Sequence, residues 1–191
     1  MDDVCPVVRV LTEMKKISCF SLFVSKVRNF HIYNPIIMMG ANEGIKMSVS
    51  VQHDGEYVLT SDGKRDFGEI TCEIAEKIKR ESGKIRLEIG FQKDGHGYGE
   101  VHIERSDRMK QLKKNGFDCA RDFIEFVVNK YDAIYQGKEN NIFIVRTTNT
   151  ANIAFLSLKQ NNKDQDVYWS VESAFISRKN YLNGKVLLWK K

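Results

Sequence analysis

Two histidines lie six residues apart in the stretch KDGHGYGEVHIERSDRMK, residues 93–110. His96 lies among glycines, and His102 opens a charged segment with helical spacing. Because an imidazole has an unperturbed pKa of about 6.5, either side chain can act as a general acid or base at neutral pH. Arg105 follows His102 by three residues and would share its helix face. The structural alternative is a turn for His96 and a core or capping role for His102.

Glycines surround the first of these histidines. Gly95, Gly97 and Gly99 alternate with His96 and Tyr98. Glycines let a backbone approach a ligand closely and can direct amide groups at a phosphate, although turns and hinges use the same composition. The spacing differs from the phosphate loop G-x-x-x-x-G-K-[ST], so hydrolysis of nucleoside triphosphates is not predicted.

Polar side chains interrupt two apolar runs in the C-terminal half. In IFIVRTT, Arg146 and Thr148 share one face of a predicted strand, and WSVESAFIS contains Ser173. A charge in an apolar strand is costly to bury unless it is paired, so Arg146 either faces a polar cleft or ends an exposed strand. In a cleft its guanidinium would bind phosphate in bidentate fashion. Ser173 either donates to a phosphoryl oxygen or lies on a half-exposed surface.

Taken together, these residue types suit the metal-independent cleavage of a phosphodiester. One group removes a proton from the attacking hydroxyl, another protonates the leaving oxygen, and a cation with hydroxyls stabilises the charge that develops. RNA supplies its own nucleophile, the 2′-hydroxyl. The four cysteines are scattered without C-x-x-C, and no group of residues has metal-ligand spacing or forms G-x-S-x-G. The sequence therefore predicts neither a metal nor another cofactor.

The net charge of +5 on the 191 residues is unevenly distributed. Residues 1–91 contain 13 basic and 13 acidic residues, whereas residues 92–191 contain 17 and 12, so the whole excess lies in the C-terminal half. This bias favours an anionic partner such as nucleic acid. No uncharged apolar run approaches about 18 residues, and no secretory signal is evident. We expect a cytoplasmic protein that does not contact a membrane.

Helices followed by strands must position these residues. Apolar spacing predicts helices over residues 69–83, about 100–114 and 118–137. After Gly137 the period changes to two, which predicts an antiparallel meander of four strands over 141–148, 152–160, 167–177 and 185–189. This order predicts an α+β domain with the helices on one face and the other face open to a ligand. Asp54-Gly55 predicts a separate hairpin nearer the N-terminus.

Several segments, in this order, resemble the nuclease domains of phages and polyvalent proteins that are grouped with barnase, EndoU, certain colicins and the RelE toxins. The segments are DFGEITCEIAEKIKRESGKIRLEIG, GYGEVHIERS, FDCARDFIEFVVNKYDAIYQG, IFIVRTT and VYWSVESAFISRKNYLNGKVLLW. The resemblance covers residues 62–191 and leaves residues 1–61 as an N-terminal extension. It implies two or three helices packed on one face of a four-stranded antiparallel sheet.

The resemblance also implies roles for individual residues. The helix histidine of the family corresponds to His102, and its strand and hydroxyl residues correspond to Arg146, Thr148 and Ser173. Substrate binding is assigned to His96, Tyr98, Arg105 and Tyr135. Relatives often carry a second basic or histidine residue after H-I-E, where this chain has Ser106 and Asp107. His96 and Arg105 are the alternatives for that second proton carrier.

The resulting hypothesis is a metal-independent endoribonuclease, a toxin or an effector of a phage or mobile element, with tRNA as a common target of the family. His102 would act as general acid or base, while Arg146, Thr148 and Ser173 stabilise the phosphorane. An acidic antitoxin or immunity protein is the expected partner, and the site of action is the cytoplasm of the producing or the target cell. The alternatives are a catalytically inactive RNA- or protein-binding module and a structural fragment of a phage polyprotein.

Overall fold

The structure is a computed structural model that describes residues 51–161 and 165–191. The helices are α1 (Cys72–Ile78), α2 (Gly99–Ile103), α3 (Ser106–Lys114) and α4 (Ala120–Asn129), followed by a 3₁₀ helix (Lys179–Leu182). The strands are β1 (His53–Asp54), β2 (Tyr57–Val58), β3 (Asp66–Ile70), β4 (Gly83–Arg86), β5 (Phe91–Lys93), β6 (His96–Tyr98), β7 (Ala133–Gln136), β8 (Ile142–Thr147), β9 (Ala151–Gln160), β10 (Val167–Ser177) and β11 (Leu187–Lys190).

Seven strands form one mixed sheet in the order β11-β7-β8-β9-β10-β4-β3, and this sheet curls into a half barrel. All neighbours are antiparallel except β4 and β10, which pair in parallel. The predicted fold, a four-stranded antiparallel sheet with two or three helices on one face, is therefore wrong. Residues 51–161 and 165–191 form a mixed α/β fold with four α-helices and a larger sheet.

The reasons why the prediction lacked part of this sheet can be identified. The predicted helix over 118–137 ends at Asn129, and the next residues form β7. There Ile134 pairs with Ile144 and Tyr135 with Phe143, because β-branched and aromatic residues fit a half-buried sheet better than a helix end. At the other edge, β4 joins a strand that follows it by about eighty residues, a pairing that local spacing does not reveal.

The main core lies between one face of the sheet, here called the first face, and the four helices. Each helix contributes at least one side chain that is at most 4% exposed, namely Ile78, Ile103, Leu112 and Phe123. The opposite side of the sheet is the second face. It carries a smaller apolar cluster over β7 to β10, on which Tyr181 and Leu182 of the 3₁₀ helix pack.

The predicted hairpin at Asp54-Gly55 is present as β1 and β2, with Gly55 at a φ of 62° in its two-residue turn. Although the hairpin falls in the segment assigned to the N-terminal extension, Val58 is fully buried in the main core and donates its amide to Leu87. Residues 1–50, the rest of that extension, lie outside the described residues.

The predicted helix over about 100–114 is divided into α2 and α3, since Glu104 and Arg105 leave the helical conformation. The glycine-rich stretch before it is not an open loop. It forms the β5–β6 hairpin, whose turn holds Asp94 and Gly95 at positive φ. Gly99 ends the hairpin against the backbone of Glu88, which accepts the amide of Glu100.

Candidate nucleic-acid interface

His102 is half-buried on α2 and contacts two polar side chains. Its Nδ1 lies 2.5 Å from Oε1 of Gln92, and its Nε2 lies 3.3 Å from Nη1 of Arg105. A guanidinium can only donate, so Nε2 accepts, and Nδ1 carries the proton that the amide oxygen of Gln92 accepts. The contacts therefore select one neutral tautomer of the imidazole.

Electrostatics favour the same neutral state. Burial lowers the pKa of His102 below 6.5, and the positive charges of Arg105 and Arg108 lower it further. The carboxylates of Asp107 and Glu172 act in the opposite direction without cancelling these effects. His102 is thus an uncharged base at pH 7 within reach of two guanidinium groups. We call His102, Arg105, Arg108 and Glu172 the histidine cluster.

A β-bulge in β10 turns two consecutive side chains toward the second face. The register shifts between Val171 and Ser173, so that Glu172 is the extra residue. Ser173 lies opposite Phe155 on the second face, and the carboxylate of Glu172 accepts a hydrogen bond from the hydroxyl of Ser157 on that face. Because of the bulge, Glu172 joins the cluster and Ser173 lies next to it.

A row of aromatic rings crosses the second face. Neighbouring rings have centroid separations between 5.0 and 5.8 Å, in the order Tyr135, Phe143, Phe155, Phe175 and Tyr181. We call these five residues the aromatic row. All of them except Phe143 are half-buried, so their rings are partly open to solvent. The guanidinium of Arg108 lies 4.4 Å from the centroid of Phe175 and connects the aromatic row with the histidine cluster.

A buried carboxylate organises the other side of the cluster. One oxygen of Glu88, Oε1, accepts hydrogen bonds from Ser170 at 2.8 Å, Lys159 at 3.0 Å and Tyr168 at 3.1 Å. Burial by itself would raise the pKa of Glu88, but these donors outweigh burial and lower it. The Nζ of Lys159 also lies 3.9 Å from the ring centroid of Tyr98. We call these five residues the Glu88 network.

Lys159 joins the two polar groups, because its Nζ lies 3.2 Å from the carboxylate of Glu172. Burial by itself would lower the pKa of Lys159, but the carboxylates of Glu88 and Glu172 outweigh burial and raise it. Lys159 is therefore a cation at neutral pH. The second face therefore combines rings with three fixed cations, Arg105, Arg108 and Lys159.

The structure brings together four of the residues predicted from sequence, whereas Tyr135 lies at the far end of the aromatic row. His102 and Arg105 belong to the histidine cluster, Ser173 lies beside it, Tyr98 belongs to the Glu88 network, and Tyr135 begins the aromatic row. His96 is exposed on β6, where it pairs with Lys93 across the hairpin.

Arg146 and Thr148 lie elsewhere. Alternation along β8 puts Arg146 on the first face with Ile144, against α4. Its Nη1 donates to the carbonyl of Phe126 at 2.7 Å, and its guanidinium lies 3.6 Å from the centroid of that ring. Thr148 is exposed in the following turn and accepts a hydrogen bond from Asn152. These contacts separate both residues from the histidine cluster.

Sequence reasoning missed most of this surface, including Glu88, Arg108, Phe155, Lys159 and Phe175. The signal for Arg108 was present, since it follows Arg105 by three residues in the segment already singled out. The two phenylalanines alternate with core residues in their strands, which places them on the opposite face. No local signal marks Glu88 and Lys159, because their contact depends on the tertiary fold.

No protein-family model, curated protein or solved structure matches the chain. Within the described residues, no group of three or more histidine, cysteine, aspartate or glutamate side chains could hold a metal ion. None of the helices in residues 51–161 and 165–191 has the length and apolar character needed to cross a membrane.

Proposed function

We propose that this chain binds single-stranded RNA across the second face of its sheet. The observation that carries the proposal is the aromatic row, with the guanidinium of Arg108 lying over the ring of Phe175. Proteins that bind single strands combine aromatic side chains, on which bases stack, with cations that contact the backbone. Both components are present on one surface here.

The rings favour single strands over duplexes. A base can stack on a ring or on an arginine plane only after it has left its own helical stack, so a sheet with half-buried rings selects unpaired bases. Phe155, Phe175 and Tyr181 are half-buried in this way. Stacking contributes about 1–3 kcal/mol per base, so two or three rings suffice for useful affinity.

The cations supply the phosphate contacts. Arg105 and Arg108 lie at the end of the row where Phe175 and Tyr181 meet α3, and Lys185 lies 5.2 Å from the centroid of Tyr181. Arg108 has a lowered pKa, first because of burial and then because of the charge of Arg105. An RNA phosphate between the two guanidinium groups would relieve this repulsion.

The test is a fluorescence-anisotropy titration of the full chain with a labelled single-stranded RNA of about ten nucleotides. We expect binding, with Phe175→Leu and Arg108→Gln each weakening it about tenfold. Arg178→Gln is the matched control, because Arg178 is exposed and lies outside the cluster. A duplex of the same sequence should bind more weakly. Equal affinity of wild type and both variants would contradict the proposal.

A second candidate function is cleavage of the bound RNA, and the neutral state of His102 favours it. A neutral imidazole with an unprotonated Nε2 can remove the proton of a 2′-hydroxyl, whose oxygen then attacks the adjacent phosphorus while the neighbouring cations stabilise the phosphorane. The bond from phosphorus to the 5′-oxygen breaks, and that oxygen takes a proton from water. In this arrangement Arg105 and Lys159 would stabilise the phosphorane, which is the role that the sequence predicted for Arg146. Because Nε2 contacts Arg105, an RNA phosphate must first draw that guanidinium away.

Cleavage is tested by incubating the purified chain with labelled RNA in EDTA. We expect products with a 2′,3′-cyclic phosphate, and a substrate with a 2′-deoxy sugar at the cleaved position should stay intact. His102→Gln should abolish cleavage while leaving RNA affinity within about threefold, because glutamine keeps a polar side chain toward Gln92. Binding without any cleavage would restrict the function to an RNA-binding module.

A further inference from the structure

A cavity of about 280 Å³ opens on the first face of the sheet, away from the aromatic row. It is lined by Lys79, Arg80, Glu81, Asn140, Leu158 and Trp169. Ser157 and Lys159 of β9 point toward the second face. Because side chains alternate along a strand, Leu158 between them points toward the first face. The cavity is therefore distinct from the proposed RNA surface.

Arg80 has an unusual set of contacts in this cavity. Its Nη1 donates to the carbonyl of Lys79 at 2.9 Å, and its Nη2 donates to Oε1 of Gln136 at 2.7 Å. Its Nε is buried and has no hydrogen-bond partner among the described residues. No carboxylate of the described residues forms an ion pair with Arg80, unlike the buried Arg86, which has two. A half-buried guanidinium with a free donor is costly unless an acceptor reaches it.

Lys79 adds a second positive charge at the same place. It ends α1 in the left-handed conformation with a φ of 54°, which only a minority of non-glycine residues adopt. The carbonyls at this helix end are occupied, because the amides of Lys79 and Arg80 donate to Glu76 and Ala75. Part of the negative charge on the C-terminal carbonyl groups of α1 is thus neutralised by these two amides without any ligand.

The rest of the lining combines the polar residues Glu81 and Asn140 with an apolar part, so the two cations outnumber the one carboxylate. Leu158 is 39% exposed, which is high for a leucine in a strand, and it lies beside the buried indole of Trp169. A volume of about 280 Å³ is at the small end of the range for ligand pockets. The cavity suits a small molecule with one anionic group and one apolar group.

We propose that this cavity binds a small phosphomonoester with an apolar or planar substituent. The phosphate contacts the guanidinium of Arg80 and the ammonium group of Lys79, while the substituent packs on Leu158 and Trp169. This site does not depend on the RNA-binding proposal, because the two surfaces lie on opposite faces of the sheet.

The test follows the Nε–H resonance of Arg80 by NMR in the full chain during titration. Phenyl phosphate supplies both groups, inorganic phosphate only the anion, and benzyl alcohol only the ring. We expect the resonance to shift with phenyl phosphate, to shift less at equal concentrations of inorganic phosphate, and to stay in place with benzyl alcohol. No shift with phenyl phosphate would overturn the proposal. So would a shift that only single-stranded RNA produces.

Calorimetry on variants gives the second readout. Arg80→Met should weaken phenyl phosphate binding about tenfold or more, because a charge-assisted hydrogen bond is lost. Lys79→Asn should weaken it about threefold to tenfold, and asparagine tolerates the left-handed conformation, so the fold is kept. Arg178→Met should bind as the wild type does. If Arg80→Met does not fold, Arg80→Lys replaces it, and unchanged affinity in a folded Arg80 variant contradicts the proposal.

Discussion

At the scale of single residues, His102 shows how two neighbours determine a protonation state. Gln92 can accept a proton from Nδ1, and Arg105 can donate only to an unprotonated Nε2, so the neutral ring satisfies both contacts. Sequence spacing predicted that His102 and Arg105 share one helix face, whereas in the structure they make contact across the break between α2 and α3. It did not predict Gln92, because that contact requires the β5–β6 hairpin to fold back on α2.

We predict that His102 titrates below its ordinary pKa of 6.5, because burial and the charges of Arg105 and Arg108 disfavour the protonated ring. Arg105→Gln should raise the pKa of His102 by removing one charge. Since the folded pKa lies below that of the unfolded chain, the stability this residue contributes at neutral pH should be lost as pH falls below about 6.5. Histidine ring signals in NMR, assigned with His102→Gln, measure this pKa, and a value above 6.5 would contradict the account.

Arg146 is expected to stabilise the fold without taking part in RNA binding. Its hydrogen bond to Phe126 and its position over that ring fix α4 on β8. Arg146→Met should lower the free energy of unfolding by about 1–3 kcal/mol, measured by urea denaturation, and leave RNA affinity unchanged. The exposed Arg178→Met is the control. A variant with unchanged stability and lost RNA binding would restore Arg146 to the functional site.

At the scale of secondary-structure elements, the glycine-rich stretch has a packing role that its sequence does not reveal. Both Gly95 and Gly99 have positive φ, but a Cβ at Gly95 would meet nothing within 4 Å. A Cβ at Gly99 would lie 2.4 Å from the carbonyl oxygen of Glu88. Gly99 lets the hairpin approach the segment that carries Glu88.

These two glycines give a matched pair of variants. Gly95→Ala should cost about 1–2 kcal/mol, which is the penalty of the left-handed conformation alone. Gly99→Ala should cost at least about 3 kcal/mol, because it adds a backbone clash and displaces Tyr98 and α2. Thermal or urea unfolding of both variants measures the difference. Equal destabilisation would show that the close approach at Gly99 is unimportant.

The elements also show what could be predicted from sequence. The hairpin at Asp54-Gly55 and the strands from β8 to β11 were predicted, because their turn residues and two-residue period are local signals. The bulge at Glu172 was not predicted, because a single extra residue leaves the apolar pattern of the strand almost intact. Without the bulge, strict alternation would turn Glu172 and Ser173 to opposite faces.

At the scale of the whole molecule, the parallel pairing of β4 with β10 builds the candidate site. It brings the segment after β4, with Glu88, beneath Ser170 of β10. Such long-range pairings follow from tertiary packing and leave no mark on sequence periodicity, so the four-stranded prediction omitted them. The basic bias of the C-terminal half was visible in the composition, and Arg105, Arg108 and Lys159 all belong to that half.

Salt dependence tests whether this charge acts in binding. Between 50 and 200 mM salt, the logarithm of RNA affinity should fall linearly with the logarithm of salt concentration, by about 0.7 for each phosphate contact. Arg108→Gln should reduce the slope by one contact, whereas Phe175→Leu should lower affinity without changing the slope, because stacking releases no counterions. Identical slopes for wild type and Arg108→Gln would exclude Arg108 from phosphate binding. That an acidic antitoxin or immunity protein covers the same basic surface stays a prediction.

Binding of RNA to the second face can be located by photo-crosslinking of the full chain to a single-stranded RNA that contains 4-thiouridine, with mass spectrometry of the crosslinked peptides. We expect crosslinks on the aromatic row, at Phe155, Phe175 or Tyr181, and their loss in the double variant that combines Phe175→Leu with Arg108→Gln. Crosslinks confined to the first face, around Arg146 or Arg80, or the same yield in the double variant, would contradict binding at the second face.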